Sequence, residues 1–124
     1  MSFRKAISTA LIISLALLTL SACGAAGAAG AEFKVTATDF KFDPADLTFK
    51  AGAKVKLTLA NKGAVEHTWI LKSPDGQELS PKLTANVGQT KSIEFTAPAA
   101  GSYQIVCDVA GHKEQGMVGK ATTQ

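Results

Sequence analysis

Beyond residue 22 the chain has no arginine, because Arg4 is the only one among its 124 residues. With no clustered arginine and a net charge of only +3, it lacks the electrostatic footprint of a nucleic-acid-binding protein. No apolar run is long enough to span a bilayer: the stretch from Ala6 to Leu20 is about fifteen residues, where roughly 20 are needed. Groups able to hold a metal or do redox chemistry are scarce, with two His, two Cys and two Met in all. Nor does any segment after residue 31 show a sustained helical period, which excludes an all-α fold.

The N-terminus carries an export signal. Arg4 and Lys5 precede the apolar stretch, and small residues follow it up to Cys23, the order of a secretory signal peptide. Leu20, Ser21, Ala22 and Cys23 resemble a bacterial lipobox, in which the cysteine is acylated and becomes the first mature residue. Residues 1–22 therefore read as signal peptide. Their removal takes away Arg4 and Lys5, so that eleven lysines face ten acids and the net charge falls from +3 to +1. Residues 23–31 read as the lipidated Cys23 and a Gly/Ala tether, with no side chains able to build a core. Residues 32–124 form one domain, large enough for a single modest core. The expected location is outside the cytoplasm, on a bacterial membrane and facing the periplasm or the cell exterior, as a monomer.

Within the domain apolar residues recur at a spacing of two, the period of half-buried strands. Phe33, Val35 and Ala37 show it, as do Leu47 and Phe49, and Val55, Leu57 and Leu59. Val65, His67, Trp69 and Leu71 follow, then Ile93 and Phe95, and Tyr103, Ile105 and Cys107. Turn signals fall between these runs at Asp43–Pro44, Ala51–Gly52, Lys62–Gly63, Pro74 to Gly76 and Pro98 to Gly101. The pattern predicts an all-β sandwich of seven to eight strands, with Tyr103 as a corner tyrosine. Gln77 to Gly88 stays unassigned: Leu79, Leu83 and Val87 are spaced for a helical turn, but Pro81 and Gly88 oppose one.

Once the signal is gone, the remaining ligand-type residues besides Cys23 are His67, Cys107, His112 and Met117. Three of them stand as Cys-x4-His-x4-Met in one loop, and His67 arrives from an earlier strand. Singly, each has an ordinary structural explanation, as a small buried hydrophobe, a satisfied strand histidine or a gap-filling thioether. Jointly they point to a metal, since a lone thiol in an oxidising compartment needs a reason. Two imidazoles and a thiolate with a distant axial thioether suit both Cu(I) and Cu(II), the requirement of a one-electron carrier.

Gly101 to Gly119, with His67 upstream in His67-Thr68-Trp69-Ile70-Leu71, resembles the cupredoxin family, which includes plastocyanin, azurin and auracyanin. The resemblance covers essentially the whole domain. It implies an eight-stranded Greek-key sandwich or barrel with one type 1 copper at one end, held by His67, Cys107, His112 and Met117, and an electron-transfer role. Two departures bear on tuning. Thr68 stands where many relatives have Asn, keeping a hydroxyl able to lock the loop, and Ala110 stands where many have Pro, restoring an N–H that could be aimed at the Cys107 sulfur.

A copper enzyme is excluded by ligand count, since a catalytic copper needs further histidines and a binuclear site needs two bridging thiolates. The competing readings are copper storage or delivery, and zinc in the same site. Asp108, Lys113 and Glu114 read as solvated loop charges. Ala64, Val65, Val109, Ala110 and Gly111 are expected to frame an exposed edge of His112, the port for electrons exchanged with redox proteins such as a membrane-bound cytochrome or oxidase. For the anchor, the expected outcome is that Cys23→Ala releases the protein from membranes or blocks its processing. Fractionation with membranes and normal cleavage of the variant would refute acylation.

Overall fold

The computed structural model describes residues 30–124. The signal peptide, Cys23 and residues 24–29 of the tether lie outside the described residues. Nine strands form two sheets: β1 (Ala31–Thr38), β2 (Lys41–Asp43), β3 (Leu47–Phe49), β4 (Lys54–Asn61), β5 (His67–Lys72), β6 (Leu83–Ala85), β7 (Thr90–Thr96), β8 (Gly101–Val106) and β9 (Val118–Thr123). One sheet has the order β2-β1-β4-β7 and the other β3-β9-β8-β5-β6. Following the sequence, the chain changes sheet five times, giving a Greek-key sandwich. Among the described residues no helix is long and apolar enough to cross a membrane.

The alternation expected in β4 is seen without a break: Val55, Leu57, Leu59 and Asn61 are buried, and the residues between them face outward. Parallel pairing with β1 sets Val35 beside Leu59 and Ala37 beside Asn61. On the facing sheet Phe49, Trp69, Leu71, Ile105 and Ala121 complete the core. Fully burying a Leu or Phe side chain contributes roughly 1.5–3 kcal/mol, so this layer carries most of the stability. Tyr103 donates its hydroxyl to the Ala99 carbonyl at 2.6 Å, the corner contact expected of it.

Three details differ from the sequence reading. β2 and β6 are additional strands of three residues each, and β2 buries a single residue, Phe42. β6 falls inside the unassigned segment, and its Leu83 and Ala85 are buried against Trp69 and His67 in register; the leucine spacing there serves strand and loop. Val65 lies outside the strand, 41% exposed, because its carbonyl is taken by the Asn61 side chain at 2.7 Å instead of a ladder partner. β1 also takes in Ala31.

Registers place the last residues of β1 and β4, the first of β5 and β7, the last of β8 and the first of β9 at one end of the sandwich. Ala31, Ala51, Ala97 and Gln124 gather at the other, where Ala51 donates to Gln124 at 2.9 Å and Gly52 to Ala97 at 3.1 Å.

Asn61 organises the first of these ends. It is 1% exposed, donates to the carbonyls of Val65 at 2.7 Å and Ala85 at 2.9 Å, and accepts from the Gly63 amide at 2.9 Å. The loop from Lys62 to Glu66 is thereby folded onto the start of β5. Asn61→Ala leaves buried backbone groups unpaired, so the expected loss is about 1–3 kcal/mol, read as a lowered urea midpoint with an unchanged m-value.

Candidate metal centre

His67 opens β5, Cys107 follows the last residue of β8, and Met117 precedes β9. Between Cys107 and Met117 the chain makes tight turns: His112 donates to Val109 at 3.0 Å, Gln115 to Gly111 at 3.2 Å and Gly116 to Lys113 at 3.0 Å. Gly111 and Gly116 have φ of 81° and 96°, a region where a side chain is strained. The loop therefore closes on itself. Met117 donates its amide to the His112 carbonyl at 3.0 Å, and its own carbonyl accepts from the Cys107 amide at 3.2 Å.

The structure brings three of the four expected ligands together directly. One donor atom each from His67, Cys107 and His112 lies within 4.8 Å of the other two. The imidazole centroids are 5.0 Å apart, and Cys107 Sγ is 3.4 Å from His112 Nδ1. His67 and Cys107 are completely buried and His112 is 6% exposed. Met117, on the same loop, is also completely buried.

His67 Nδ1 is buried and has no hydrogen-bond partner. An unpaired polar atom in such a place costs roughly 1–3 kcal/mol, and a metal relieves the cost by taking the lone pair. Cys107 is a free buried thiol. Two imidazoles and a thiolate, with a thioether on the loop that carries two of them, fit copper.

Around the sulfur, the Thr68 amide donates to Sγ at 3.4 Å. The Thr68 hydroxyl accepts from the Asp108 amide at 2.9 Å and gives its hydrogen to Asp108 Oδ1 at 2.7 Å, closer than Sγ at 3.6 Å. This hydroxyl locks the loop, as expected of it. The amide at the sulfur is that of Thr68; among the described residues Ala110 makes no such bond, so the proposed consequence of lacking proline is not seen. Asp108 is more than a solvated charge, since it also pairs with Lys82. Burial pushes the Asp108 carboxyl up, but the bonds from Lys82 and Thr68 outweigh it and leave the group below its usual value. The same bond raises Lys82 above the usual lysine range.

Of the open edge expected of it, His112 keeps only a remnant, at 6% exposure. Phe40 packs against it in a T-shaped contact with centroids 5.0 Å apart. Phe40 and its neighbour Asp39 form the turn between β1 and β2 and carried no signal in the sequence. Asp39 Oδ1 lies 3.0 Å from His67 Nε2, and both carboxylate oxygens accept from the Ala64 amide at 3.1 Å. The Ala64 bond is the main reason the Asp39 carboxyl sits below its usual value.

The family described as the cupredoxin-like domain matches residues 10–118. The chain belongs to the cupredoxin family of blue copper domains. It is 31% identical over 105 residues to the copper-resistant cuproprotein CopI of Rubrivivax gelatinosus, covering 73% of this chain and 64% of that one. It is 30% identical over 100 residues to auracyanin-A of Chloroflexus aurantiacus, covering 60% of this chain and 62% of that one. The chain thus spans a little under two thirds of the length of the curated relatives it matches. Among solved structures, auracyanin A superposes with a TM-score of 0.68 at 27% identity, over 77% of this chain and 99% of that one. Dithionite-reduced auracyanin from Roseiflexus castenholzii gives 0.69 at 18% identity, over 77% and 98%, a likeness of fold. The cupredoxin donor set found here is that of a type 1 copper site.

If Thr68 locks the cupredoxin ligand loop, Thr68→Val should leave the Asp108 amide without its partner while sparing the backbone donor to sulfur. The expected outcome is faster amide hydrogen exchange from Asp108 to Gly116, with stability lowered by about 1–3 kcal/mol. Unchanged exchange would show that the loop is held by its own turns.

Proposed function

We propose that this domain is an exported electron carrier in which His67, Cys107 and His112, with Met117 as a weaker donor, would hold one copper. The observation that carries the reading is the burial of two imidazoles and a free thiol around a nitrogen that no protein group satisfies. Bound copper supplies the one-electron Cu(I)/Cu(II) couple. The protein's part is to hold the donors still: the Thr68 amide stabilises negative charge on sulfur, and the bonded loop resists rearrangement when the charge changes. Little then has to move during transfer, and transfer is fast. The ligand count supports a carrier over a redox enzyme, with all three clustered donors given to one site.

Export, acylation at Cys23 and attachment to a bacterial membrane belong to the same proposal and rest on the sequence of residues 1–31. The partners are redox proteins, of which a membrane-bound cytochrome or oxidase fits the anchor. The large hydrophobics left exposed among the described residues, Val65, Val87 and Val118, support docking at the metal end. Val65 is two residues before His67, Val87 is two beyond the Ala85 that pairs with His67, and Val118 follows Met117. A small apolar surface suits brief contact. His112, the less buried of the two imidazoles, is the proposed port.

Copper storage or delivery is the second reading, favoured by likeness to the copper-resistant cuproprotein CopI. Titrating the apo-protein with Cu(II) tests both. A carrier takes up one equivalent, turns intensely blue through thiolate-to-copper charge transfer and exchanges electrons rapidly with itself; Cys107→Ser removes colour and redox activity together. A delivery protein would instead surrender its copper to a modest chelator. A blue Cys107→Ser protein would refute the site. Met117→Leu should keep the colour and raise the potential, because losing a weak donor in an apolar pocket disfavours the more charged Cu(II). An unchanged potential would mean that Met117 is not a donor to the copper.

A further inference from the structure

The two-residue turn between β1 and β2 reaches both imidazoles of the cluster from the opposite sheet. Asp39 approaches His67 Nε2 to 3.0 Å, and the Phe40 ring lies edge-on to His112. Phe40 adopts φ of 84°, a conformation that costs a non-glycine residue of order 1–3 kcal/mol unless the surroundings hold it. Gly63 makes room for the first contact. A Cβ built there would come within 2.6 Å of His67 Nε2 and would collide with Asp39 Oδ1. The Ala64 amide fixes the carboxylate from the same loop. The acid, the glycine and the amide thus form a socket for one nitrogen of one imidazole.

Building on the copper reading, we infer that Asp39 is a positioning residue for His67: its carboxylate accepts the Nε2 hydrogen, leaving Nδ1 bare as the donor, and its charge favours the oxidised centre. The tautomer follows from the two nitrogens. A neutral imidazole carries one hydrogen, Nε2 faces an acceptor, and Nδ1 is buried with no partner. A carboxylate on the far side of a ligand imidazole also orients the ring and raises its basicity. Asp39 stands at the rim, its side chain 36% exposed, so water screens its charge without displacing the contact. Phe40 does for the His112 ring by packing what Asp39 does for His67 by hydrogen bonding.

The contact offers two separable effects. Asp39→Asn keeps an acceptor oxygen and loses the charge; Asp39→Ala loses both. Gly63→Ala keeps the acid but drives it from the ring. In the apo-protein, nitrogen chemical shifts of His67 should show hydrogen on Nε2 in the wild type and in Asp39→Asn, and a mixture of tautomers in Asp39→Ala and Gly63→Ala. In the copper-loaded protein, Asp39→Asn should keep the blue spectrum while Cu(II) affinity falls relative to Cu(I) by up to about tenfold, an upward shift in potential of up to about 59 mV for one electron. Asp39→Ala should also weaken copper binding roughly 10- to 100-fold. A residue that merely stabilised the fold would lower the melting temperature and leave tautomer and potential alone. Wild-type tautomer in Asp39→Ala, or an unmoved potential in Asp39→Asn, overturns the inference while the copper reading stands. A wild-type protein that takes up no copper overturns that reading, and the apo-protein tautomer still decides the role of Asp39.

Discussion

Three groups with lone pairs to give, two imidazoles and a thiol, are buried against one another, and at least one of their nitrogens has no protein partner. Left to itself such a cluster would collapse or admit water. Everything else at that end of the sandwich resists both outcomes. The core beneath is closed by Trp69, Leu71 and Ile105, Phe40 roofs the His112 ring, and the loop from Cys107 to Met117 is tied by its own backbone bonds. The site is costly in the absence of a metal and is stabilised by binding one, and a rigid frame is what makes that difference usable.

The frame draws on both sheets through side chains that are not ligands. Asn61, at the end of β4, folds the next loop against β5. Asp39, beyond β1, reaches His67. Thr68 and Asp108 join β5 to the ligand loop, and Lys82 extends that link towards β6. Each imidazole and the sulfur is therefore constrained from at least two directions. Small adjustments at one contact are opposed by another, which would keep the donors in place through the one-electron change proposed for the site.

Much of this was legible in the residues. β1, β4 and β8 announced themselves by alternation because one face of each is core and the other solvent, and the metal ligands stood out because the inventory of soft donors was so short. β5 was also legible, in the spacing of His67, Trp69 and Leu71, although both of its faces are buried from His67 to Leu71. β2 was not visible, since it buries only Phe42 and so shows no alternation, and in β6 the pair Leu83 and Ala85 was masked by a leucine spacing that also fits a helical turn. Asp39 and Asn61 could not be picked out from among the chain's other polar residues. Their importance comes from contacts with residues 28 and 24 positions away, and no local pattern encodes those. Phe40 was hidden for a related reason: a phenylalanine is a poor signal for a turn, and its positive φ is tolerated only because a distant ring receives it.

The direction of β1 has a consequence for reach. The strand enters at Ala31, among the loops farthest from the ligands, and runs the height of the sandwich before delivering Asp39 to His67. Eight strand residues rise about 26 Å, so the chain enters at one end of the domain and the donor cluster lies at the other. With the anchoring proposed through Cys23, the donor cluster would face away from the surface of attachment. A redox partner of the proposed carrier would then reach the donor cluster from the end of the sandwich opposite Ala31.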